Sequence, residues 1–172
     1  MFALIFGLSF LANAQDAKSN QPKGYQFTDI KRLPATSVKD QARAGTCWSW
    51  SGISFFESEM IRMGKEPIDL SAMYIVRHAY SDKATKFVRL HGSMNFAVGG
   101  AFCDVMHVIK NYGIVPMDVY KGLNYGEPNH AFGEIDDVLA GYVNAVIKNS
   151  NKKLSTAWKK GFDGILDAYL GE

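Results

Sequence analysis

Two cysteines and four histidines are the side chains of this 172-residue chain best suited to covalent or metal chemistry. Cys47 follows the turn-forming pair Gly45-Thr46 and leads into an apolar run that begins at Trp48. A thiol attacks as the thiolate, and the partial positive charge of a helix N-terminus favours that form. Gln41 stands shortly before Cys47, where a side-chain amide and the Cys47 N–H could together stabilise a developing oxyanion. Taken alone, Cys47 would read as a buried structural cysteine, since free cysteine packs as a small apolar residue. Gln41 before it, Trp48 after it and Gly99-Gly100 downstream give it a catalytic context. Cys103 falls inside a predicted helix and reads as half-buried. Cys103 and His107, at i and i+4, could present two ligands on one face, but no second pair has matching spacing, so no metal site is expected. No Cys-x-x-Cys suggests a thiol redox protein.

The elements that must position these residues are mostly helical. From Trp48, the residues Trp50, Ile53, Phe56, Met60 and Met63 recur at three- and four-residue steps, and Gly64 can end the helix. Phe55 and Ile61 widen the stripe, which predicts a helix buried nearly all round. Ser71 is placed to cap a short helix carrying Met73, Ile75, Val76 and Tyr80. Residues 81–98 read as loop. Gly99-Gly100 opens a third helix, with Phe102, Val105, Met106 and Ile109 on one face and Tyr112-Gly113 at its end. Ile114-Val115-Pro116 is extended, and 120–128 is loop. Ile135, Val138, Leu139, Tyr142 and Val146 mark a fourth helix. Ser155 caps a fifth, with Trp158, Phe162, Ile165, Leu166 and Tyr169. Strand-like alternation is nowhere convincing. Gly99-Gly100 serves either as a hinge or, with Cys47, as a stretch bare enough for an extended peptide to lie against it. Glu57 is expected to satisfy a buried polar contact rather than act as an acid.

The segment Val38-Lys39-Asp40-Gln41-Ala42-Arg43-Ala44-Gly45-Thr46-Cys47-Trp48-Ser49-Trp50-Ser51 resembles the active-site segment of papain-like (C1) cysteine peptidases. Their signature C-G-[SA]-C-[WY] becomes Ala44-Gly45-Thr46-Cys47-Trp48 here. Asp69-Leu70-Ser71 is similar to the helix start that follows in that family, and Gly99-Gly100 to its substrate-pairing glycines. Tyr112-Gly113-Ile114-Val115-Pro116 and Val119-Tyr120 most resemble the bleomycin hydrolase and aminopeptidase C branch. The resemblance implies peptide-bond hydrolysis through a Cys47 thioester, with Gln41 at the oxyanion and no cofactor. It also implies substrate contacts at Gly99, Gly100, Phe102 and Trp48, Phe102 being a candidate pocket wall. Papain's bridge before the active-site turn has no counterpart, because the matching positions are Ala44 and Ala97. The family's histidine and asparagine come roughly 130 to 150 residues after the cysteine, whereas Glu172 is about 125 residues after Cys47. The general base is therefore expected outside these residues, and the isolated chain is expected to be inactive or nearly so.

The implied fold class is α+β, mostly α in this chain. A papain-like helical left lobe over 15–128 precedes a helical extension over 129–172, with the β-rich right lobe absent. Hydrophobic residues at 47% and charged residues at 21% suit a packed globular chain. The net charge of +2 and the lack of any basic block give no reason to expect a nucleic-acid partner. Residues 1–14 read as a signal peptide: an apolar run, Phe2–Leu11, is too short to span a bilayer and precedes Ala12-Asn13-Ala14. No basic residue precedes that run, and an N-terminal core element is the lesser alternative. Export to a periplasm or the exterior is expected, with no membrane span. The expected partners are a peptide or protein substrate and the missing C-terminal lobe, with oligomerisation left open. The alternative function is a non-catalytic pseudo-peptidase, acting as a binding or inhibitory module.

Overall fold

The computed structural model describes residues 24–151 and 153–172; the signal-peptide segment, 1–14, lies outside them. Among the described residues five helices follow in order: α1 (Cys47–Arg62), α2 (Ala72–Arg89), α3 (Phe102–Tyr112), α4 (Gly133–Ile147) and α5 (Ala157–Leu170). Strand pairing among the described residues is confined to two isolated bridges, Arg43 with Ala131 and Leu70 with Pro116. The mostly helical character read from the sequence holds.

Local chemistry sets the helix limits. Ser71 Oγ accepts the Tyr74 N–H at 3.0 Å and caps α2. Gly64 and Gly113 take positive φ, +78° and +86°, just beyond α1 and α3. At the start of α5 the N-cap is Thr156, while Ser155 Oγ accepts the Ala157 N–H at 3.2 Å.

Three expectations are corrected. The α2 helix runs on to Arg89 through a stretch expected to be loop. Its charged residues, Asp82, Lys83, Lys86 and Arg89, mask a stripe of Ala84, Phe87 and Val88 that continues the buried face of Ala79 and Tyr80. The α1 helix is not buried nearly all round, for its covered residues are Trp48, Ser49, Gly52, Ile53 and Glu57, while Phe55 and Met63 are exposed. Small and polar residues hold that face because neighbouring elements come close. A β-carbon on Gly52 would stand 2.8 Å from Val105 Cγ2, and Ser49 Oγ donates to Ala72 O at 2.8 Å. Cys103 is exposed rather than half-buried. The face of α3 that packs inward is carried by Val105 and Val108, and Cys103 falls off that line.

Residues 33–172 form one compact unit. Residues 24–32, the described part of a separate first unit, contain no helix or strand. The α2 helix is central, with α1, α3, α4 and α5 all packed on it. One cluster joins Ile53, Met73, Val76, Ala84, Val105 and Leu139 to Phe162 and Leu166, so the core runs through the whole unit. A polar seam lies beside it between α2 and α5. There Arg77 pairs with Asp167, and Asp163 accepts from both Ser81 and Lys159.

Candidate active site

Residues 40–46 form the turn that delivers Cys47. Asp40 Oδ1 accepts the Ala42 N–H at 2.7 Å, and Ala42 itself takes φ +50°. That left-handed conformation costs a non-glycine residue about 1–2 kcal/mol, so the turn needs outside support. A distant segment supplies it. The Arg43 N–H donates to His130 O at 2.9 Å, and the Phe132 N–H donates to Arg43 O at 3.2 Å. Gly45 has φ +65°, and a β-carbon there would meet Val98 Cγ1 at 3.2 Å, so glycine answers two demands at once.

Cys47 is the first residue of α1 and is exposed. Thr46, fully buried, does not cap the helix, because its Oγ1 accepts the Trp50 indole N–H at 3.1 Å. The Cys47 and Trp48 amides consequently have no acceptor among the described residues, whereas the Ser49 N–H donates to Thr46 O at 2.9 Å. Gln41 and Cys47 line one cavity of about 410 Å³, together with Ser37, Trp50 and Ser51. A thiol, an open helix-terminal amide and a side-chain amide thus surround one space, the donor set for an acyl-transfer oxyanion.

Beside the thiol, Trp48 is buried and donates its indole N–H to Val98 O at 3.0 Å. Gly100 lies close against the indole, and a β-carbon there would stand 2.5 Å from Trp48 Cε2. Gly99 faces open space, with nothing within 4 Å of its would-be β-carbon. Neither glycine has a positive φ, so at Gly100 closeness of approach rather than backbone conformation is what glycine provides. The Gly100 N–H and C=O have no backbone partner among the described residues. The Lys83 ammonium reaches this loop from α2. It donates to Ala97 O at 3.3 Å and to Gly99 O, and lies 5.4 Å from the centre of the Trp48 ring and 5.8 Å from that of Tyr80. The sequence reading missed Lys83, because the turn of α2 that carries it was expected to be loop.

The other singled-out residues lie apart from the thiol. The Phe102 ring stacks on Phe56 at 5.8 Å and meets Phe55 edge-on at 5.5 Å. Those partners lie roughly 12 Å along α1 from Cys47. His78 is sandwiched by Tyr74 and Tyr112, and burial lowers its pKa. His107 pairs with Asp82 at 3.0 Å, and His91 lines a separate cavity with Val88 and Ile147. His130 packs edge-on against Trp50 and Phe132 with its Nδ1 buried and unpaired, and burial lowers its pKa. Glu57 is buried as expected. It accepts the Leu70 N–H at 2.7 Å and Lys39 at 2.8 Å, and Thr36 also donates to it. Burial works against the Lys39 charge, but Asp69 and Glu57 more than offset it and hold the ammonium above the usual lysine range. Cys47 and Cys103 are both free thiols. No helix among the described residues is long and apolar enough to cross a membrane.

The model of the papain family of cysteine proteases matches residues 22–159. The chain is also similar to the protein named cathepsin B-like CP2 of Giardia intestinalis, 28% identical over 92 residues. That match covers 48% of this chain and 31% of the other, so the chain spans about a third of the relative it matches.

Proposed function

Since the chain belongs to the papain family of cysteine proteases, we propose that it supplies the nucleophile and oxyanion half of a peptidase active site. The observation that carries this is the exposed Cys47 thiol at the first position of α1, with its own N–H open and Gln41 on the same cavity. The Cys47 sulfur adds to the scissile carbonyl carbon, forming the C–S bond. The oxygen, now anionic, accepts from the Cys47 N–H and the Gln41 amide. The C–N bond then breaks and the amine leaves with a proton. Water cleaves the thioester. The proton carrier is a histidine outside these 172 residues; the four within them sit in the contacts described above.

The extended substrate lies along Gly99 and Gly100, using the open backbone pair of Gly100. Trp48 contributes from beneath that loop, whereas Phe102, packed on Phe55 and Phe56, stands away from the thiol. The motif Tyr112–Pro116 with Val119-Tyr120 supports an aminopeptidase C-like enzyme of the bleomycin hydrolase branch. The apolar N-terminal run supports export to a periplasm or the exterior. The chain by itself is acylated without efficient turnover, which requires the lobe that brings the histidine.

The test is covalent labelling of the 172-residue chain with a peptidyl chloromethyl ketone, read by mass spectrometry. Cys47 is expected to be alkylated in preference to Cys103, whereas iodoacetamide, which carries no peptide, reacts with both exposed thiols. Labelling that favours Cys103 would sink the assignment. Peptide turnover by this chain that disappears in Cys47→Ser would refute the need for an outside base.

A further inference from the structure

The loop 97–100 has two edges with different fates. Along one edge, the carbonyls of Ala97 and Gly99 are taken by Lys83 and that of Val98 by the Trp48 indole. The other edge holds the free N–H and C=O of Gly100. A short loop cannot satisfy three successive carbonyls from its own amides, and the amides of α2 are committed within the helix. A long side chain with several protons is what can reach them, and an ammonium makes the stronger, charge-assisted bond. The Trp48 and Tyr80 rings hold that ammonium in place. Lys83 makes no ion pair among the described residues; its charge is directed at the loop.

We propose that Lys83 is a positioning residue for substrate recognition, turning the Ala97 and Gly99 carbonyls inward so that Gly100 presents its backbone pair to an extended peptide. The inference rests on the peptidase function proposed above. Lys83 touches no substrate; it acts through the loop. Burial holds the ammonium below the usual lysine range, with Asp104 and Asp136 opposing that trend and Lys86 reinforcing it. Removing the ammonium leaves carbonyls without donors and frees the loop to rotate. Lys83 itself makes no hydrogen bond to the 40–47 turn, which carries the thiol and its oxyanion donors.

The experiment measures two alkylation rates at Cys47 on the 172-residue chain, one for a dipeptidyl chloromethyl ketone and one for iodoacetamide. Their ratio reports peptide recognition separately from thiol reactivity. In Lys83→Met the ratio is expected to fall about tenfold, the scale of one charge-assisted hydrogen bond. The iodoacetamide rate should stay the same, and Lys83→Arg should recover most of the ratio. A wild-type ratio in a folded Lys83→Met protein overturns the proposal. If that variant unfolds, Lys83→Gln decides: a neutral donor should give an intermediate ratio, and an unchanged one overturns the proposal. A wild-type chain that shows no preference for the peptidyl reagent sinks the peptidase function itself, and this inference with it.

Discussion

At the scale of single residues, Gly99 and Gly100 are neighbours under different constraints. A β-carbon at Gly100 would press on Trp48 at 2.5 Å, and the indole cannot retreat while its N–H is bound to Val98 O. Gly100→Ala is therefore expected to destabilise by about 2 kcal/mol, as overpacking does. For a unit of this size that lowers Tm by roughly 4–8 °C in thermal unfolding. Gly99→Ala adds its methyl to open space, so its Tm should stay within about 1–2 °C of wild type. The same methyl would project toward the proposed peptide track, so peptidyl labelling of Cys47 should slow even though stability holds. Equal Tm losses in the two variants would contradict this account. The sequence could single out both glycines but not separate them. Their difference lies in Trp48, which is far away in sequence and adjacent in space.

At the scale of elements, the start of α2 is fastened to α1 by a buried carboxylate. Glu57 holds the Leu70 N–H just before the Ser71 cap, and Lys39 bridges Glu57 to Asp69. Leaving a buried charge without its partner costs about 3–5 kcal/mol. Lys39→Met is expected near the low end, since Thr36 and Leu70 still donate to Glu57. The double variant Lys39→Met/Glu57→Gln should lose less than the sum of the single changes, which a double-mutant cycle in urea would show. Additive losses would mean that the pair is not coupled. Because the folded pKa of Lys39 lies above its unfolded value, this stabilisation is full below the unfolded value of 10.5. It is lost only as pH rises through the higher folded value. At element scale the sequence was informative where period and caps agreed, as at Ser71, Gly64 and Gly113. It misled where they did not. Charged residues concealed the second half of α2, and the apolar run of α1 suggested full burial although its packed face uses Ser49, Gly52 and Glu57. Close helix approach selects small residues, and no hydropathy pattern reports that.

At the scale of the whole unit, acid is the expected weakness. Burial depresses the pKa of both His78 and His130 below 6.5, so the unfolded chain binds protons that the folded chain refuses. Stability should be full above pH about 6.5 and fall as pH drops toward the depressed folded values. Thermal unfolding between pH 7.5 and 5 would record this as a declining Tm. His130→Phe, which removes the buried unpaired Nδ1, should flatten part of the decline; an unchanged slope would exclude His130 as a source. The candidate half-site could be assembled from sequence because Gln41, Gly45, Cys47 and Trp48 are close together in the chain. Its supports were not, since Lys83, Val98 and His130 reach it only through the fold.

The bond pair between Arg43 and the 130–132 segment also bears on how the protein is made. The two partners are separated by about 90 residues, and contacts of that separation form late, after the loop between them has closed. During synthesis the helix that begins at Cys47 emerges long before His130 and Phe132 do. The turn before Cys47, with Ala42 in its unfavourable conformation, cannot be fastened until the chain has grown through α3 and the loop beyond it. A ribosome-bound chain halted before residue 130 would hold Cys47 without the two bonds that fix the turn before it. The order of emergence thus delays fixing of the Cys47 turn until most of the surrounding unit can fold.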